Sequence, residues 1–280
     1  MADNYLEKRM EEYRAGKLSS RSHRPIRSTS LKRPSLPPLR VFVTGGACGI
    51  GRTIVRAFRD EGCYVAFCDN DLNAGRTTAQ STGAQFYPLD VTDPDALEHA
   101  LDSIVSRHGD IDVIINNVGI CQFKPLMETS VEDFDRILAT NIRPVFLTAR
   151  FLARHRSTLD TPNNYGGRVI NISSTRATMS EIDTAGYSAS KGAVNALTHS
   201  LMMSLSTWRI TVNAISPGWI ETGDYTRLSE NDHTQHPSQR VGHPEDIARM
   251  AVFISHPDND FINGEIITID GGMTHKMIYV

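Results

Sequence analysis

Tyr187 and Lys191, in Tyr187-Ser188-Ala189-Ser190-Lys191, are the pair in this chain best suited to moving a proton. On a helix that spacing puts phenol and ammonium on one face, one turn apart. An unperturbed phenol titrates near about 10, and a neighbouring cation stabilises its anion, which makes it a better acid and base near neutrality. The spacing alone also fits an ordinary surface pair, so its surroundings must decide.

A second cluster lies near the start. Thr44-Gly45-Gly46-Ala47-Cys48-Gly49-Ile50-Gly51 follows an apolar run and precedes a helical pattern. Glycines let the backbone turn tightly and approach a phosphate closely, while the free N–H groups of a helix start attract its charge. The spacing is G-x-x-x-G-x-G, and its place at the first strand-to-helix junction points to a dinucleotide pyrophosphate. About twenty residues on, Cys68-Asp69-Asn70 ends the next apolar run. There Asp69 can bind both adenosine ribose hydroxyls and repel a 2′-phosphate. No Arg or Lys follows at once, and Cys48 rather than a basic residue precedes the second motif glycine, so NAD is expected over NADP.

These groups need a frame, and the pattern supplies one. Apolar runs at Leu39–Thr44, Tyr64–Asp69, Val113–Asn116, Gly167–Ser173, Ile210–Ser216 and Glu265–Ile269 read as strands. Amphipathic stretches at Gly49–Glu61, Pro94–Arg107, Val131–Arg154, Tyr187–Ser206 and Pro244–Ser255 read as helices. Such alternation, with continuously apolar strands, predicts a mostly parallel sheet covered on both faces.

Composition bounds the rest. Of 280 residues, 40% are hydrophobic, enough for a real core, and no apolar run reaches the roughly 18 residues of a membrane span. The net charge of -3 is uneven: residues 1–40 carry ten Lys/Arg against four Asp/Glu, and the remainder is acidic. Residues 1–38 read as a basic extension, with a short amphipathic helix over 4–17 and a flexible Ser/Arg/Pro linker after it, and residues 39–280 as one domain. A basic arm can hold nucleic acid, but the acidic body offers no second patch, so a solvated or oligomer-contacting arm is favoured. Cys48, Cys63, Cys68 and Cys121 lack disulfide or zinc spacing and read as buried, reduced thiols, consistent with a cytoplasmic protein.

Taken in order, these motifs resemble the short-chain dehydrogenase/reductase family over roughly residues 39–275. Asp90-Val91 matches the family's adenine-contacting pair. Asn116-Asn117-Val118-Gly119 resembles its N-N-A-G motif, with Val118 where alanine is usual. Asn141 matches the helix asparagine. Ser174, thirteen residues before Tyr187, matches the catalytic serine better than Ser173, and Pro217-Gly218-Trp219-Ile220-Glu221-Thr222 is similar to the P-G-x-x-x-T segment. The resemblance implies a single doubly wound, Rossmann-type α/β domain with a mostly seven-stranded parallel sheet, and a homotetramer. It implies a catalytic set of Asn141, Ser174, Tyr187 and Lys191. Gly45, Cys48, Gly49, Ile50, Gly51, Asp69, Asp90, Val91, Asn117, Gly119, Tyr187, Lys191, Pro217, Gly218, Ile220 and Thr222 would meet the cofactor. Ser174 and Tyr187 would hold the substrate oxygen while hydride passes to or from nicotinamide. Lys191 would bind the nicotinamide ribose and lower the Tyr187 pKa.

Asp232, His233 and His236 could suit zinc by spacing, but the analogy puts them in a short polar lid, about Trp219 to Arg240, and no metal is expected. That lid favours a small polyol, sugar or hydroxy acid. A catalytically silent NAD(H)-binding sensor is the alternative, and the complete set of four residues argues against it.

Overall fold

The computed structural model describes residues 36–159 and 163–277. The expected helix over 4–17 and linker thus lie outside the described residues, apart from 36–38. Leu36, ahead of the expected domain start, is already buried, as is Leu39.

Seven strands form one parallel sheet: β1 Arg40–Thr44, β2 Tyr64–Asp69, β3 Gln85–Pro88, β4 Val113–Asn116, β5 Gly167–Ile172, β6 Ile210–Pro217 and β7 Ile266–Ile269, in the order β3-β2-β1-β4-β5-β6-β7. The helices are α1 Gly49–Asp60, α2 Leu72–Thr82, α3 Pro94–His108, α4 Val131–Asn141, α5 Arg143–Ser157, α6 Ala185–Leu205, α7 Glu230–Thr234 and α8 Pro244–Ile254. This is the doubly wound fold the motifs imply.

Successive strand side chains point to opposite faces, and each face has its own core. Val41, Val43, Val65 and Ile115 pack with Ile54, Val55 and Phe58 of α1 and with Ile247 and Ala251 of α8. Phe42, Ala66, Ile114 and Val169 pack with Leu97, Leu101 and Ile104 of α3 and with Leu152 of α5. Among the described residues no helix is long and apolar enough to cross a membrane.

Three differences from the sequence expectations have physical causes. The stretch expected as one helix over Val131–Arg154 is two, α4 and α5, meeting at Ile142. Pro144 has no N–H to continue the helical ladder, and its ring crowds the preceding turn. The α2–β3 unit gave no periodic signal: α2 holds Gly75 and three threonines, and β3 is a four-residue edge strand ending in Pro88. Not all four cysteines are buried. Cys63 and Cys68 are, but Cys48 and Cys121 are exposed, because they sit in the loops after β1 and β4 rather than within a strand.

Candidate active site

The loop after β1 is held from below. The N–H groups of Gly45 and Gly46 both donate to the Cys68 carbonyl, at 2.8 and 3.2 Å, and Ala47 N–H donates to Asp69 Oδ2 at 3.0 Å. Gly45 has φ +69° and Gly49 +52°, conformations that L side chains rarely adopt. A β-carbon at Gly51 would fall 1.9 Å from the Gly45 oxygen, so only glycine lets α1 leave β1 this closely. The first helical bond runs from Arg52 N to Cys48 O. The N–H groups of Gly49, Ile50 and Gly51 therefore come before the helical ladder begins, with no acidic side chain in that turn, and can receive an anion.

Beside this loop a cavity of about 450 Å³ is lined by Gly45, Cys48, Asp69, Asp90, Val91 and Gly119 among others. Asp69 stands at the end of β2. Among the described residues the one cation in its lining, Arg136 of α4, is engaged with Gln122 and Asp133. Asp90 fixes its own turn by accepting from the Thr92 N–H and hydroxyl, both at 2.8 Å. Asn117 does not line the cavity: its amide donates to the carbonyls of Thr44 and Gly45, at 3.1 and 2.9 Å, and so clamps the loop. Pro217 is buried at the end of β6, and Thr222 reaches back over the first loop, where a β-carbon at Gly49 would lie 3.3 Å from its methyl group.

A second cavity, of about 620 Å³, is lined by Ser174, Tyr187, Gly218, Trp219 and Ile220. Ser173 is excluded from it; its hydroxyl donates to Asn195 Oδ1 at 2.6 Å. Tyr187 opens α6, and Lys191 follows one turn later, only 3% exposed. Its ammonium donates to the Ile172 carbonyl at 2.8 Å and lies 5.6 Å from the Tyr187 ring centroid. A β-carbon at Gly119 would come within 3.2 Å of that nitrogen, so the glycine after β4 makes room for it. Asn141 ends α4 nearby, bonded to Ile120 and to Ser190 Oγ.

Burial pushes the Tyr187 phenol up; the Ser174 hydrogen bond pulls it back, Cys121 adds to the rise and Arg176 opposes it. Burial likewise pushes Lys191 down, to about 8. In the protein alone desolvation is the largest influence on both groups: Lys191 is buried, with its ammonium bonded to a carbonyl, and Tyr187 is half-buried on the cavity wall.

The site also contains residues that the motifs did not reveal. Cys121, Phe123, Arg176, Glu181, Gln235, His236, Met273 and Thr274 line the second cavity. They come from loops and the chain's end, where no periodicity marks them; Arg176 lies two residues from Ser174, and Gln235 and His236 fall in the stretch expected as a lid.

A family model described as enoyl-(acyl carrier protein) reductase matches residues 45–274. The chain belongs to the short-chain dehydrogenase/reductase family. It is an oxidoreductase of that family, whose members bind a nicotinamide cofactor, and the glycine cradle and the cavity beside it suit such a group. It is 38% identical over 251 residues to an uncharacterised oxidoreductase of Thermotoga maritima, covering 85% of this chain and 96% of that one. It is 32% identical over 248 residues to a sorbitol dehydrogenase of Cereibacter sphaeroides, covering 82% and 95%. An apo SCOR enzyme from Clostridium thermocellum superposes with TM-score 0.77 at 35% identity, over 87% of this short-chain dehydrogenase/reductase and 96% of that one. ElxO with NADP bound superposes with TM-score 0.77 at 28% identity, over 86% and 100%.

Proposed function

We propose that this short-chain dehydrogenase/reductase is an NAD(H)-dependent dehydrogenase of small polar secondary alcohols or their ketones: polyols, sugars or hydroxy acids. The observation that carries the reading is the joint placement of Ser174 and Tyr187 on one cavity wall, with Lys191 buried one turn behind. Bound NAD(H) supplies the hydride acceptor or donor. Ser174 and Tyr187 hold the substrate oxygen, and Tyr187 takes its proton in oxidation and returns it in reduction. Lys191 would hold the nicotinamide ribose, where its ammonium and the cofactor's positive charge would together favour the Tyr187 phenolate. Asn141 positions the turn from which Gly119 faces Lys191.

Asp69 supports NAD, since a carboxylate at that strand end disfavours a 2′-phosphate; the structural neighbour ElxO has NADP bound, so both cofactors enter the test. The sorbitol dehydrogenase among the relatives supports a polyol-like substrate. Phe253, 50% exposed on α8, and Phe261, 99% exposed before β7, support a homotetramer joined through these elements. Four free cysteines support a reducing, cytoplasmic setting.

The test is NADH formation by the purified protein with NAD and a panel of polyols, sugars, hydroxy acids and steroid alcohols. Turnover of a small polar alcohol, faster with NAD than with NADP, is expected. NADH binding without turnover of any panel member would replace this reading with the silent sensor.

A further inference from the structure

Of the described side chains lining the cavity beside Tyr187, two carry a full charge, and they face each other. Arg176 Nη2 lies 2.5 Å from Glu181 Oε2. Arg176 stands two residues after Ser174 on the 3-10 turn Thr175–Ala177, with its guanidinium 5.3 Å from the Phe123 ring centroid. It is close enough to Tyr187 and Cys121 to pull both of their acidities toward the charged form. The two partners are held differently: the arginine side chain is 25% exposed and the glutamate side chain 57%.

We infer that Arg176 reads the charge of the substrate, taking a carboxylate carried by a hydroxy acid or sugar acid in place of Glu181. This rests on the reading of this cavity as the substrate site. A guanidinium presents a planar fork that matches a carboxylate with two parallel bonds. Its present partner is a solvent-exposed carboxylate, and water competes with such pairs, so they are weak. An incoming carboxylate exchanges one anion for another and leaves no buried charge uncompensated. A neutral polyol has no group that can displace Glu181. Before substrate arrives, Glu181 keeps the guanidinium paired. The same cavity is lined by His236, 1% exposed, whose Nε2 has no hydrogen-bond partner among the described residues.

The experiment measures equilibrium binding to the NADH-loaded protein, by isothermal titration, of sodium aldonates of four to six carbons and of the alditols with the same chains. Wild type is expected to bind at least one aldonate about tenfold more tightly than its alditol, the worth of one charge-assisted contact. Arg176→Gln brings that ratio toward one, Arg176→Lys leaves an intermediate value, and Glu181→Gln raises the ratio by freeing the guanidinium. The last is a gain that misfolding cannot imitate, and retained NADH affinity checks the fold of every variant. Equal or tighter binding of the alditols, no binding of any aldonate, or a ratio unmoved by Arg176→Gln overturns the inference. Binding is read without turnover, which separates the two readings. An acid preference in a protein that oxidises nothing sinks the dehydrogenase reading alone, and turnover without that preference sinks this one alone.

Discussion

Asn141 and Ile120 are joined reciprocally: Asn141 Oδ1 accepts the Ile120 N–H at 2.8 Å, and Asn141 Nδ2 donates to the Ile120 carbonyl at 3.0 Å. The same Nδ2 donates to Ser190 Oγ at 2.9 Å, and Ser190 Oγ donates to the Tyr187 carbonyl at 2.7 Å. One amide thus ties the turn after β4 to the first two turns of α6, where Tyr187 and Lys191 stand. The helix break at Ile142, forced by Pro144, leaves Asn141 as the last residue of α4, from which its side chain reaches both.

Asn141→Ala strands the Ile120 N–H and carbonyl and removes a partner of Ser190, each in a buried or half-buried setting. Unmade buried bonds cost about 1–3 kcal/mol each, so a loss of roughly 2–4 kcal/mol in urea unfolding is expected. A loss below about 1 kcal/mol would mean that the amide is not the tie described.

Lys191→Met should stabilise the protein while destroying its activity. Burial lowers the folded-state pKa of Lys191 from 10.5 to about 8, so folding penalises its charged form. At about 1.4 kcal/mol per pKa unit that penalty exceeds the roughly 1 kcal/mol bond to Ile172 that the variant loses, leaving a net gain of about 2–3 kcal/mol. The sign follows from proton counting. Below pH 8 both states of wild type hold the proton, and the gain is full. Between 8 and 10.5 the unfolded chain holds more of it, wild type recovers stability as pH rises, and the gain shrinks. Thermal unfolding of both proteins at pH 7 and 10 checks this; a methionine variant that is less stable at pH 7 contradicts it.

Asp69→Ala should move cofactor preference toward NADP. The Ala47 N–H loses its acceptor whichever cofactor binds, so the loosening of the loop cancels in the ratio of kcat/KM for NADP to that for NAD. A lost charge-assisted bond and a relieved repulsion together predict a rise of about 10–100-fold in that ratio. An unchanged ratio would show that Asp69 serves only the loop.

How much of this was legible in advance depends on which force positions each residue. Gly45, Gly49, Gly51 and Asp69 were readable because a close backbone approach and a strand-end carboxylate leave local sequence marks. Tyr187 and Lys191 were readable because helical spacing sets their geometry. Strand β3 was not visible as a run, since an edge strand of four residues ending in Pro88 has little apolar pattern to show. The task of Asn117 was also hidden: its sequence position marks a motif, but only the fold turns its amide toward Thr44 and Gly45 rather than the cavity. Arg176 and Glu181 come from the loop between β5 and α6 and His236 from the segment before α8, and no local spacing encodes that they line one cavity.

The most direct test of the central claim compares turnover by wild type and Tyr187→Phe on an alcohol that wild type oxidises, with NADH affinity measured alongside. The phenylalanine keeps the ring and loses only the proton-carrying oxygen. Turnover should fall by about two to four orders of magnitude while NADH binding holds. Near-normal turnover by Tyr187→Phe would contradict the account and remove Tyr187 from the chemistry.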